Sequence, residues 1–150
     1  NSNIVSSWDV LNGQEVTGDC VVIGGGLVGA ETAEYLENKG HQVTIVEMMD
    51  KIAAGESTTV LPLMMKDFAD HNVKQLVNTK VDHIENNIVY TANEQIKADT
   101  IINALGSKKN IFDDSSITIP HVCVGDCSGE RTADIASAIR TAYKAANAID

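Results

Sequence analysis

Three glycines, spaced as Gly24-x-Gly26-x-x-Gly29, form the pattern in this sequence that points most directly to chemistry. They follow an apolar run that begins at Cys20 and precede apolar residues at helical spacing, which is the setting a dinucleotide-binding turn requires. Gly24 would make the tight turn, Gly26 would let a pyrophosphate approach the backbone, and Gly29 would let the helix pack closely on the strand. The alternative interpretation is a glycine-rich turn that binds no ligand.

Backbone groups, rather than basic side chains, would bind the anion at this turn. The first N–H groups of a helix have no intrahelical partner, and the helix dipole adds roughly half a positive charge there. The predicted site therefore includes Gly25, Leu27 and Val28 together with the three glycines of the motif. The formal net charge of -10 provides no broad basic field, so nucleic acids and anionic membrane surfaces are not expected partners.

An acidic residue, Glu47, follows the next apolar run and is the candidate for cofactor selection. Its position after the glycines is close to the distance of roughly 20 residues at which a carboxylate binds the ribose hydroxyls. A 2′-phosphate would be repelled by Glu47, and the next residue, Met48, which we include in the predicted site, is not an arginine. The sequence therefore predicts NAD(H) in preference to NADP(H), with a solvated carboxylate at a strand end as the alternative.

Two later strand ends could also approach a ligand. Ala104 and Gly106 end an apolar run, and small residues at the carboxyl edge of a sheet let a ligand lie close. Gly125 and Asp126 follow a shorter run, in what we interpret as a second strand-to-helix crevice. The alternatives are an ordinary strand end for the first pair and a helix-capping aspartate for the second.

The remaining reactive side chains predict neither a catalytic group nor a metal site. Cys123 and Cys127 lie four residues apart, but no further cysteine or histidine is close to them in sequence, and the four histidines do not cluster. The odd total of three cysteines is typical of a reduced compartment, so a cytoplasmic location is expected. No run approaches the ~20 apolar residues that a membrane helix needs.

The elements around these residues predict an α/β fold, in which a Rossmann-like parallel sheet is flanked by helices and accompanied by a small antiparallel meander. A strand, a helix and a strand at 20–24, 27–38 and 42–46 form one βαβ unit. The later elements are a helix at 58–71, a strand at 73–76, the meander at 81–96, two more strands at 100–104 and 122–124, and a final helix at 132–149. The expected organisation is a connector over 1–17, an NAD(H)-binding domain over 18–109 and a strand–helix segment over 110–150.

The runs 21–36 and 40–48 resemble the NAD(H)-binding domain that is inserted in two-dinucleotide flavoproteins. They are most similar to the multidomain NADH:flavin oxidoreductases related to Old Yellow Enzyme, such as 2-enoate reductase and 2,4-dienoyl-CoA reductase. The run 99–106 resembles the second nucleotide-side strand of that family. The run 122–127 resembles the segment whose aspartate, here Asp126, contacts the ribityl chain of FAD. The resemblance implies that 110–150 is the second half of an FAD domain, and that the parent protein holds FMN and an iron–sulfur cluster.

The expected function is to bind NADH for hydride delivery to a flavin held elsewhere in a larger flavoprotein. The chain does not begin with Met, and we expect it to be a piece of a longer chain that is inactive alone. A non-catalytic ADP- or NAD-binding module and a methyltransferase are the alternatives, and the meander argues against the second. We expect residues 121–124 to pair along a free edge of the strand at 100–104, or to do so between two chains in a swapped dimer.

Overall fold

The computed structural model describes residues 2–54, 59–106, 113–128 and 135–149. The chain divides into two compact units, an N-terminal unit of residues 1–106 and a C-terminal unit of residues 107–150. In chain order, the elements of the N-terminal unit are β1 (Ile4–Ser6), α1 (Ser7–Leu11), β2 (Cys20–Ile23), α2 (Leu27–Asn38), β3 (Val43–Val46), α3 (Leu61–Asp70), β4 (Lys74–Leu76), β5 (Val81–Glu85), β6 (Ile88–Thr91), β7 (Gln95–Lys97) and β8 (Thr100–Asn103).

A five-stranded parallel sheet with the order β1-β8-β2-β3-β4 forms the centre of the N-terminal unit. Strand β2 lies in the middle, and all four of its residues are buried, as expected of an apolar strand covered on both faces. Val22 packs on one face with Ala33 and Leu36 of α2. Val21 packs on the other face with Val89 of β6. The predicted Rossmann-like α/β fold is confirmed.

The second, antiparallel sheet is the predicted meander, with the order β5-β6-β7. Asn86 and Asn87 make the tight turn between its first two strands at φ angles of 48° and 60°, a conformation that asparagine tolerates better than most residues. Val89 and Ile96 are buried in the same apolar cluster as residues of the parallel sheet. The meander therefore covers one face of that sheet.

The first residues of the chain differ from the expected connector. Ile4 pairs with Ile101 in the parallel sheet, so β1 occupies the edge of β8 that we expected to be free. Ser6 caps α1 by accepting hydrogen bonds from the backbone N–H groups of Trp8 and Asp9, and Val10 of α1 is fully buried. A three-residue edge strand is too short to show an apolar period, which is why the sequence pattern did not predict it.

The C-terminal unit contains a 3₁₀ turn, Gly125–Cys127, and the helix α4, Ile135–Ala146. The predicted strand at 122–124 is wrong, because these residues form no ladder and the Val122 side chain is exposed. The predicted pairing of 121–124 with the strand at 100–104 is wrong as well, since β1 fills that position. Of the predicted elements, residue 58 of the second helix and residues 132–134 of the final helix lie outside the described residues. Among the described residues, no helix is long and apolar enough to cross a membrane.

Candidate dinucleotide-binding site

The turn that leaves β2 depends on glycine at position 24. Gly24 has a φ of +99°, a conformation that side chains rarely adopt, and its N–H donates to the Val46 carbonyl at 2.9 Å. A Cβ atom at this position would lie 2.6 Å from the Ala104 carbonyl oxygen. Both the backbone conformation and the space around Gly24 therefore require glycine, as a tight turn out of the strand predicts.

Gly29 sets the distance between helix α2 and the end of β2. A Cβ atom on Gly29 would lie 1.9 Å from the Gly24 carbonyl oxygen and 3.2 Å from the Ala104 Cβ. The first of these separations is far inside van der Waals contact, so only glycine allows the helix to approach the turn this closely. The predicted packing role of Gly29 matches this geometry.

Gly26 differs from the other two glycines of the motif. It is the N-cap of α2, with φ −64° and ψ −176°, which any residue can adopt, and nothing lies within 4 Å of the position of a Cβ. No side chain caps this end of the helix, while Leu27 is exposed and Val28 half-buried. The backbone around Gly26 therefore offers an open helix N-terminus that suits an anion.

Glu47 lies directly after β3, and its carboxylate contacts the glycine turn. Its Oε2 accepts a hydrogen bond from the Gly25 N–H at 2.6 Å, and its Oε1 accepts one from the Met49 N–H at 2.7 Å. The residue is buried, and its own backbone is bonded to Leu76 and Thr79. Each carboxylate oxygen can accept more than one hydrogen bond, so these contacts leave acceptor capacity beside the turn.

Two residues that sequence reasoning missed also hold the turn. The Ala53 N–H donates to the Gly25 carbonyl at 2.6 Å, and Ile52 is buried so close to Gly25 that a Cβ there would lie 2.5 Å from the Ile52 Cδ1. The sequence feature that could have indicated these two residues is the apolar pair Ile52-Ala53, which directly follows the polar residues 50–51. Met48, which was included in the predicted site, is largely exposed.

The carboxyl end of β8 completes the site on its other side. The Ala104 N–H donates to the Ile23 carbonyl at 2.9 Å, which places Ala104 next to the glycine turn. Gly106 follows with a φ of +82° and open space around the position of its Cβ. The predicted residues of β2, α2, β3 and β8 thus meet at the carboxyl ends of neighbouring parallel strands, where open α/β sheets bind ligands.

Gly125 and Asp126 belong to the C-terminal unit, and the prediction that they end a strand is wrong. They lie in the 3₁₀ turn, where the Gly125 N–H donates to the Thr141 Oγ1 of α4 at 2.8 Å. Asp126 is exposed. The contact of Asp126 with FAD stays a prediction.

The buried cysteine of the N-terminal unit is unsuited to nucleophilic chemistry. Cys20 begins β2 at the end of the strand opposite the glycine turn. Burial, and then the carboxylates of Asp19 and Asp99, raise the pKa of the Cys20 thiol to about 11. The thiol is therefore protonated at neutral pH and unreactive.

Three comparisons with known proteins agree with this geometry. The chain is 43% identical over 155 residues to bilirubin reductase of Mediterraneibacter gnavus, a match that covers 98% of this chain and 24% of that protein. It is 31% identical over 159 residues to cinnamate reductase of Clostridium sporogenes, with 97% and 23% covered. A structure of 2-naphthoyl-CoA reductase in complex with 2-naphthoyl-CoA superposes with a TM-score of 0.71 at 28% identity, over 97% of this chain and 23% of that one.

The chain thus spans about a quarter of the length of these relatives. A family match covers most of the sequence, from residue 2 to residue 122, and includes the whole of the glycine turn and the strands around it. The chain belongs to the pyridine nucleotide-disulphide oxidoreductase family.

Proposed function

We propose that the N-terminal unit binds NADH, with the pyrophosphate at the N-terminus of α2. The observation that carries this proposal is the contrast among the glycines of the turn. Backbone conformation or packing requires glycine at positions 24 and 29, whereas neither factor requires glycine at position 26. An anion that approaches the backbone at Gly26 gives the missing reason, since a side chain there would occupy the space of the ligand.

Glu47 would select the cofactor. Its carboxylate is fixed by two backbone N–H groups and adds a negative charge beside the turn. It can accept hydrogen bonds from ribose hydroxyls and would repel the 2′-phosphate of NADPH. When bound, the nicotinamide would supply a hydride to a flavin, and the residues of this unit would bind and orient the cofactor.

The unit would act as part of a larger flavin-dependent reductase. Its match to about a quarter of each relative supports this arrangement. We propose an enoate or a CoA thioester as the substrate class of the whole protein, because cinnamate is an enoate and 2-naphthoyl-CoA is a CoA thioester. FAD at Gly125 and Asp126, and FMN with an iron–sulfur cluster elsewhere, stay predictions from the resemblance to enzymes related to Old Yellow Enzyme.

The proposal is tested by calorimetric titration of the chain with NADH and with NADPH. We expect at least a tenfold preference for NADH, which corresponds to about 1.4 kcal/mol. Glu47→Gln removes the charge with little change of shape and should narrow the preference. Glu85→Gln, on an exposed position of the meander, is the matched control and should leave it unchanged. Equal affinities of the unmodified chain for the two cofactors, or no binding of either, would contradict the proposal.

A further inference from the structure

Helices α2 and α3 bring three potential metal ligands together at a distance from the glycine turn. Glu37 lies in the last turn of α2, Asp67 lies on α3, and His71 follows α3 as its C-cap. One ligand atom of each residue lies within 4.8 Å of the others. The His71 Nδ1 is 3.0 Å from the Glu37 Oε2 and 3.4 Å from the Asp67 Oδ1.

Glu37 is an unusual member of this cluster because its carboxylate is buried. Its side chain is only 2% exposed, and its buried Oε2 accepts no hydrogen bond of good geometry, although the His71 Nδ1 lies 3.0 Å away. Its Oε1 accepts a hydrogen bond from the Asn38 amide at 3.0 Å, which fixes the orientation of the carboxylate. A buried carboxylate beside a second acidic residue is costly unless positive charge and further ligands compensate it.

We propose that Glu37, Asp67 and His71 bind one divalent first-row transition-metal ion, for which Zn²⁺ is the fitting probe. Zinc binds imidazole nitrogen and carboxylate oxygen at roughly 2.0–2.2 Å. Two such ligands separated by 3.0 or 3.4 Å subtend angles of about 90–115° at the ion, which is the range of tetrahedral and octahedral coordination. The two separations from His71 are therefore those found between ligands of one metal ion.

The ion would neutralise both carboxylates and link the carboxyl-terminal ends of α2 and α3. His71 is half exposed, so an ion can enter from solvent and a water molecule can complete its coordination. Asn38 would not bind the ion itself but would orient the Glu37 carboxylate through its hydrogen bond, as residues around metal sites commonly do. The site does not depend on NADH binding, because the glycine turn lies at the other end of α2.

Calorimetric titration with ZnCl₂ after chelator treatment tests the proposal. The full chain with Cys123→Ser and Cys127→Ser is used as the reference, since both thiols are accessible ligands for zinc. We expect one ion per chain, and at least about a tenfold loss of affinity in both Glu37→Gln and His71→Gln. The matched control is His83→Gln, whose imidazole stacks on Tyr90 of the meander, and it should bind zinc as the reference does.

Thermal unfolding gives a second measurement. Zinc should raise the Tm of the reference and of His83→Gln but not that of His71→Gln. His71 is half exposed, so this variant should fold even if Glu37→Gln does not. Absence of zinc binding to the reference, or equal zinc affinity in the reference and in His71→Gln, would overturn the proposal.

Discussion

Replacement of Gly26 by valine should abolish dinucleotide binding while leaving the fold intact. The backbone of Gly26, at φ −64° and ψ −176°, accepts a β-branched residue, and its Cβ would meet nothing within 4 Å. The structural cost is therefore limited to the loss of a favourable N-cap residue, about 1 kcal/mol. In a domain of this size that lowers the Tm by roughly 2–8 °C.

The cost to binding should be much larger. The branched side chain would stand where the pyrophosphate approaches the N-terminus of α2, so we expect at least a 100-fold loss of NADH affinity, or about 2.7 kcal/mol. Gly29→Ala is the complementary variant, because its Cβ would lie 1.9 Å from the Gly24 carbonyl oxygen. It should lose stability by about 3 kcal/mol or more, at or above the upper end of the range for overpacking.

Calorimetry with NADH and thermal unfolding, applied to both variants, measure the two effects separately. A Gly26→Val protein that binds NADH within about threefold of the unmodified chain would refute the proposed position of the pyrophosphate, since threefold is well under 1 kcal/mol. A Gly29→Ala protein as stable as the unmodified chain would refute the close packing of α2 on the turn.

Four further predictions concern individual side chains. Glu47→Ala should lower the free energy of unfolding by about 2–4 kcal/mol in urea titrations, because two backbone N–H groups lose a charged acceptor. Cys127 should react with a thiol reagent in the folded protein at pH 8, while buried Cys20 reacts only after unfolding. The pKa of the Cys20 thiol rises from 9.0 to about 11 on folding. The free energy of unfolding that this shift adds is therefore fully present below pH 9 and is lost as the pH rises towards 11. The Ile119 carbonyl, and then Asp114, raise the pKa of His121, and Asp114→Asn should lower that pKa in an NMR titration.

The parts of the fold that sequence reasoning predicted are those in which local pattern and tertiary structure agree. The glycines fixed the start of α2, and the apolar spacing up to Leu36 fixed its buried face. The bounds of α2, residues 27–38, match the prediction. The adjacent asparagines at 86 and 87 gave the turn of the meander, since asparagine tolerates a positive φ.

Sequence reasoning failed where long-range contacts decide the structure. Strand β1 exists because β8 provides its ladder partners, and the three residues of β1 contain no local pattern that predicts this pairing. Val122 and Val124 have the composition of a strand, yet they form no ladder. The approach of Glu37 to His71 joins segments whose separation along the chain follows no fixed spacing.

The pairing of β1 with β8 constrains the order in which this unit can fold. Strands β2, β3 and β4 follow one another in the sequence and can associate as they are synthesised, whereas β1 can join the sheet only after β8 has paired with β2. Asn3 and Thr100, which are hydrogen-bonded, are 97 residues apart, so the loop-closure entropy of this last step is large and the step should be slow. A chain shortened to begin at residue 18 would lack β1, and the exposed edge of β8 would then favour aggregation.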